Sequence, residues 1–191
     1  MNFLVSKSTS PQHKKDALQR MAPEQQTFLD HLAYETKLFK VKPDGLFFDN
    51  ESHRAVAAGG WLEILTTQML KQTTHTRDLN MNVQFDKSTQ RIGSASRNEM
   101  DVMTMIGPTL HLIECKTVNW EGGSGPKAED SIYKLSALSD IGGLNTRSAF
   151  VSLYDVPGYA KTRAAENNIT LICGRELIGL AKHLEQWAAL A

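Results

Sequence analysis

The stretch that decides the fold is Asn98-Glu99-Met100-Asp101-Val102-Met103-Thr104-Met105-Ile106-Gly107-Pro108-Thr109-Leu110-His111-Leu112-Ile113-Glu114-Cys115-Lys116-Thr117. Two apolar runs, Glu99 to Ile106 and Leu110 to Thr117, are joined by Gly107-Pro108, a two-residue turn signal, so they read as a β-hairpin. Ionisable groups interrupt both arms. Glu114 and Lys116 are two apart on a strand and therefore project from one face, with His111, Ile113 and Cys115 in the alternating positions. Antiparallel pairing about the turn sets Asp101 opposite the region of Glu114 to Lys116.

Working outward, Leu79, Met81, Val83 and Phe85 alternate with Asn80, Asn82, Gln84 and Asp86, a period-two strand that ends in the polar turn Lys87-Ser88-Thr89. Ahead of it, Trp61, Leu62, Leu65, Met69 and Leu70 recur at helical spacing from about Gly60 to Thr74, after the punctuation of Gly59-Gly60. Beyond the hairpin, a Gly-rich loop from Trp120 to Pro126 leads to a helix at about Lys127–Leu138 and a turn at Asp140 to Gly143. A strand at Ser148–Leu153, a helix at Tyr159–Asn167, a strand at Ile169–Cys173 and a closing helix over Leu177–Ala188 complete the chain. The order is helix, three strands, helix, strand, and then helix, strand, helix: an α/β protein.

The N-terminal part reads differently. The first twenty residues carry a small basic cluster (His13, Lys14, Lys15, Arg20) and no apolar periodicity, which predicts a mobile tail. An amphipathic helix is expected from Ala22 to about Phe39, then a turn at Lys42 to Gly45 and a short strand or buried loop at Gly45 to Asn50. The expected division is therefore 1–58, a tail, helix and short hairpin or linker, and 59–191, the α/β domain.

Composition bounds the function. With 191 residues, 21 Lys and Arg against 21 Asp and Glu, the chain has no global basic field with which to hold a polyanion. No apolar run approaches the roughly 20 residues needed to span a bilayer, and the N-terminus lacks a signal-peptide pattern, so a cytoplasmic protein without membrane partners is expected. Cys115 and Cys173 lie inside apolar strands, as reduced buried thiols do.

Burying carboxylates and a lysine is unfavourable unless they pair or hold a cation. Asp101 and Glu114, with Glu63 in the first core helix, are hard oxygen ligands without a His or Cys cluster, which suits Mg²⁺ or Mn²⁺ rather than zinc. The chemistry this implies is phosphoryl transfer to water, with Lys116 orienting the water or neutralising developing charge. Beside a divalent ion, repulsion and desolvation would favour neutral Lys116. Glu99 shares the face of Asp101 and is a secondary ligand candidate. His53, His75 and His111 have no ligand spacing; Gly142 and Gly143 read as turn residues; Trp120 is either an apolar anchor or a base-stacking platform.

These residues resemble the PD-(D/E)XK nuclease superfamily, with the motif written here as Asn98-Glu99-Met100-Asp101 and Glu114-Cys115-Lys116. The resemblance narrows through Gly59-Gly60-Trp61-Leu62-Glu63, Leu112-Ile113-Glu114-Cys115-Lys116-Thr117, Tyr133-Lys134-Leu135 and Gly142-Gly143-Leu144 to the nuclease domain of the CRISPR-associated CARF–nuclease effectors, which act once a cyclic oligoadenylate binds their sensor. It implies a restriction-endonuclease-like core of αβββαβ order with a short N-terminal helical extension, and a Mg²⁺- or Mn²⁺-dependent nuclease for DNA or RNA in anti-phage defence. It also implies that Glu63, Asp101, Glu114, Lys116 and Lys134 are catalytic, with the metal held by Asp101, Glu114, the backbone carbonyl of Cys115, and Glu63. Lys134 would sit beside the scissile phosphate, where a bland alternative pairs it with Glu129 or Asp130.

The roughly 58 residues ahead of the core are too few for the doubly wound sensor of those effectors. Either the sequence is a piece of a longer chain, or control falls to a separate sensor or partner protein, or the N-terminal segment docks one. A homodimer using Tyr154 to Arg163 and the closing helix is a further expectation, and the competing reading is a catalytically silent nucleic-acid-binding or assembly module on the same fold.

Overall fold

A computed structural model describes residues 11–73, 76–85, 98–120, 127–143 and 145–189. Lys87-Ser88-Thr89, His75, Leu144, residues 1–10 and residues 121–126 of the Gly-rich loop lie outside them. The chain divides into two units between Trp61 and Leu62.

The first unit begins with a helix, α1 (Pro11–Gln19), where a mobile tail was expected. Periodicity did not reveal it because a single anchor holds it: Leu18 is buried with Leu29, Phe39, Leu46 and Ala57 in one small apolar cluster. Helix α2 (Pro23–Thr36) starts with Pro at its first position and stops before Phe39, because Lys37 takes a left-handed cap (φ 56°) whose N–H bonds Ala33. Phe39 is thereby freed from the helix and buried at the entry to a hairpin of β1 (Lys40–Lys42) and β2 (Gly45–Phe47). A short helix, α3 (Glu51–Ala55), capped by Asn50, runs into a π-turn over Val56–Gly60 in which Gly59 leaves helical angles.

The second unit is an α/β sandwich. A five-stranded sheet runs in the order β3 (Thr76–Phe85), β4 (Asn98–Ile106), β5 (Thr109–Lys116), β6 (Thr146–Ser152), β7 (Ile169–Cys173). The first three strands form an antiparallel meander, and β6 and β7 continue parallel to β5. Helices α5 (Ala128–Gly142) and α6 (Gly158–Glu166) make the crossovers that parallel pairing requires. Helix α4 (Trp61–Thr73) precedes the sheet and α7 (Leu180–Ala189) closes the chain, entered through a 3₁₀ turn over Gly174–Gly179 where a regular helix was expected. No described helix is long and apolar enough to cross a membrane.

Central strand β5 is buried on both sides, and its alternation sorts the layers. Leu112 and Phe150 pack with Ile132, Leu135 and Leu138 of α5 and Ala160 and Ala164 of α6. On the other side, His111 meets Trp187 of α7 edge-on at 4.8 Å, and the Cys115 thiol reaches Thr66 of α4. His111 is thus a core residue, as its lack of ligand spacing suggested. Both cysteines are free and buried.

Helix α5 runs four residues past the expected Leu138 and stops at Gly143 (φ 87°). Its last turn presses on the sheet: a Cβ on Gly142 would fall 2.9 Å from Leu110 Cδ2 and onto Thr146 Oγ1. Overpacking of that kind costs about 1–3 kcal/mol. Gly142→Ala should therefore destabilise the chain by about that amount in urea unfolding, whereas Gly158→Ala, whose Cβ meets nothing within 4 Å, should stay within about 0.5 kcal/mol of the parent, the usual range for surface changes.

Candidate active site

The site lies where β4 stops pairing with β5. The register Val102↔Ile113 is the last main-chain pair on that side, and one step beyond it Asp101 and Glu114 face each other. The Cys115 N–H, left without a strand partner there, donates to Asp101 Oδ2 at 2.7 Å. In a strand the N–H and C=O of one residue point the same way, so the Cys115 carbonyl also opens toward Asp101.

Glu114 is the most buried member, with a side chain 1% exposed. Lys116 Nζ lies 2.5 Å from Glu114 Oε1 and 3.5 Å from Asp101 Oδ2, bridging the two carboxylates. Lys134, projected from α5, reaches both Glu114 oxygens at 3.3 and 3.4 Å. Glu129 pairs instead with Arg163 of α6, so Lys134 belongs to the buried cluster rather than to a solvated helix pair. Of the residues singled out in the sequence, Asp101, Glu114, Lys116 and Lys134 come together directly. Glu63, in the first turn of α4, feels the charges of Asp101, Lys116, Glu99 and Glu114 without a direct contact to Lys116 or Glu114 among the described bonds.

Electrostatics follow from burial. Desolvation, then the Asp101 charge, push Glu114 up, with Lys116 and Lys134 opposing. Desolvation penalises the charge on Lys116 too, but Glu114 and Asp101 outweigh it and raise its pKa. Without a metal, the two carboxylates sharing one ammonium hold the proton on the amine. Burial pushes the Cys115 thiol up and keeps it inert, and raises Cys173 to about 11.

As a ligand set, Asp101, Glu114 and the Cys115 carbonyl are all oxygen, which suits a hard cation. The carboxylate pair already embraces one positive group, the Lys116 ammonium. Among the described residues no three His, Cys, Asp or Glu side chains converge on one point.

Two neighbours clarify the surroundings. Trp120 is an anchor: its Nε1 donates to Ser152 Oγ at 3.1 Å and its ring tilts over Phe150, while Ser152, the register partner of Lys116, donates onward to the Tyr154 carbonyl. The sequence offered no sign of Asn82, which stands by Glu63 and Glu99 and read simply as an outward polar member of β3.

Glu63 is half-buried, and desolvation first, then Asp101, raises its carboxyl to about 7. A carboxyl with a folded pKa above its unfolded value of about 4.5 favours folding below the unfolded value, and this contribution is lost as pH rises through the folded value. The melting temperature of the chain in chelator should fall between pH 5 and pH 8, and Glu63→Gln should flatten that fall. An unchanged slope in the variant would locate the dependence elsewhere.

Comparison with known proteins gives this geometry a family. The crystal structure of protein VC1899 from Vibrio cholerae is similar at 31% identity and a TM-score of 0.74, over 94% of this chain and 50% of that one. Can2 from Sulfobacillus thermosulfidooxidans, solved in complex with cyclic tetra-adenylate, is similar at 26% identity and a TM-score of 0.69, over 97% of this chain and 54% of that one. The chain thus spans about half the length of each. No curated protein sequence matches it. Residues 49–191 match the endonuclease domain of Card1-like proteins. The resemblance to CRISPR-associated nucleases drawn from Glu114-Cys115-Lys116 and its companion blocks therefore holds, and the chain belongs to the Card1-like endonuclease domain family.

Proposed function

We propose that this chain is a metal-dependent endonuclease that hydrolyses phosphodiester bonds of DNA or RNA in CRISPR-associated defence. One observation carries the reading: two carboxylates on adjacent strands, Asp101 and Glu114, meet two lysines from different elements in a largely buried cluster. Membership of an endonuclease family and the all-oxygen donor set support it. Asp101, Glu114 and the Cys115 carbonyl would hold Mg²⁺ or Mn²⁺, with Glu63 as a further ligand. When bound, the ion supplies Lewis-acid polarisation of a phosphate oxygen and acidifies water.

The protein's own groups do the rest. Cys115 N–H fixes the orientation of Asp101 through a bond of 2.7 Å. Lys116, held as an ammonium, donates to the attacking water or to a non-bridging oxygen and offsets charge that develops there. Lys134 steadies Glu114 from α5 and faces the phosphate as a point charge. Neutral overall charge means that nucleic acid is held locally, and binding should weaken with salt. Can2 is described with cyclic tetra-adenylate bound; for this chain a sensor or partner protein and dimerisation would be means of control.

Calorimetry with Mn²⁺ tests the ligand set. The parent should bind and Asp101→Ala should not; parental binding by the variant would remove Asp101 from the set. Mn²⁺ binding without cleavage of any single- or double-stranded DNA or RNA would favour the silent binding or assembly module.

Lys116→Ala should cut single-turnover cleavage by about 10²-fold or more, the scale for losing one positioned group. Its Mn²⁺ affinity should be equal or tighter, because the ammonium that competes for the carboxylates is gone. Lys116→Arg should not rescue, since the larger planar guanidinium does not reproduce a compact ammonium aimed at one water-sized target. A Lys116→Ala rate within a few-fold of the parent would reduce that lysine to an ion-pair partner.

A further inference from the structure

We propose that Asn82 is a positioning residue of this site, its side-chain amide holding Glu63 and Glu99 in place beside Asp101. The functional meaning rests on the nuclease reading above; the contact rests on geometry alone.

Three observations converge on Asn82. First, between the pairs Met81↔Val102 and Val83↔Met100 it occupies the register position opposite Asp101, so β3 delivers it to the strand position that carries the site. Second, it has a left-handed backbone (φ 54°) inside a strand. That conformation is uncommon outside glycine, and Asn tolerates it better than most residues. Third, with its amide nitrogen turned toward them, Asn82 donates to Glu63 Oε2 at 3.2 Å and to Glu99 Oε1 at 3.3 Å. The opposite orientation would set its oxygen against two carboxylate oxygens.

The chemistry of the group suits the task. A primary amide carries two donors, one for each carboxylate, and these come from different elements, α4 and β4. A lysine there would also bridge them, but its positive charge would repel a divalent cation. The amide fixes both side chains and leaves their negative charge available. Outer groups that orient ligating carboxylates typically change metal affinity by about 10–100-fold when removed.

The test uses the full chain and the variant Asn82→Gly, which keeps a left-handed backbone without strain and deletes only the amide. Its melting temperature should stay close to that of the parent. Its Mn²⁺ dissociation constant should rise about 10-fold or more, and kcat should fall while KM for a single-stranded oligonucleotide stays unchanged. Asn82→Asp, which also tolerates the backbone, replaces the donor by a third carboxylate oxygen and should not restore kcat. In the metal-free parent, the Asn82 side-chain NH₂ protons should exchange with solvent more slowly than a free amide, and Glu63→Ala/Glu99→Ala should remove that protection. Parental Mn²⁺ affinity and kcat in Asn82→Gly, or an unprotected amide in the parent, would overturn the proposal. Protection that depends on Glu63 and Glu99 in a parent that neither binds Mn²⁺ nor cleaves would uphold the positioning contact and sink the nuclease reading instead.

Discussion

A carboxylate on the central strand of a sheet, 1% exposed, is the constraint on which the rest of the second unit depends. An isolated charge there would cost several kcal/mol, and the cost is tolerable only with partners in good geometry. Glu114 has two, and they come from different directions: Lys116 along its own strand and Lys134 from the helix that crosses over to β6. The strand partner is supplied by covalent spacing and the helical one by packing, so the charge is satisfied only if α5 docks correctly. Ile132, Leu135 and Leu138, which pack with Leu112 and Phe150, enforce that docking. The overlong last turn of α5, pressed against Leu110 and Thr146 through a glycine, sets how closely the helix approaches the sheet.

Asp101 adds a second constraint, on register. A slip of one residue in the β4–β5 pairing would move Asp101 from the Glu114 side of the sheet to the other. The turn at Gly107-Pro108, with Gly107 at φ 58°, pins the register, and the bond from the Cys115 N–H rewards it. The same pairing that stops at Val102↔Ile113 frees this N–H to serve a carboxylate rather than a neighbouring strand. Replacing Glu114 together with its charged partners by apolar residues would often be neutral or stabilising in such a place. The polar cluster is thus the kind of local violation of core rules that functional sites retain.

Much of this was legible in the chain because strands of period two and a Gly-Pro turn leave strong marks. The hairpin, the alternation of Leu79, Met81 and Val83, and the β7 limits at Ile169 and Cys173 all follow from pattern alone, and so did the meeting of Asp101 with Glu114 and Lys116. The misses share a cause: each depends on a neighbour remote in sequence. Helix α1 is held by one leucine, which no periodicity can announce. Helix α5 continues through Gly142 because packing on Leu110 and Thr146 favours a residue without a side chain, whereas Gly alone reads as a stop. The left-handed angle of Asn82 leaves no trace in the period-two pattern of its strand.

The charge balance of the cluster explains how these ionised groups can stand together in a largely buried place. Two carboxylates and two ammonium groups sum to zero, so the charges of Asp101, Glu114, Lys116 and Lys134 balance one another. A divalent cation would have to displace the Lys116 ammonium from Glu114 and Asp101, and its affinity would be the difference between two attractions rather than the full strength of one. The displaced ammonium cannot leave, because its backbone is fixed two residues from Glu114 and paired with Ser152 of β6. In its paired position the Lys116 side chain is already 28% exposed. The only anion a phosphodiester brings to it is its own phosphate. On the nuclease reading proposed above, the group that pairs the two carboxylates would also be placed to meet a phosphate, and one lysine would serve both roles through the same strand geometry.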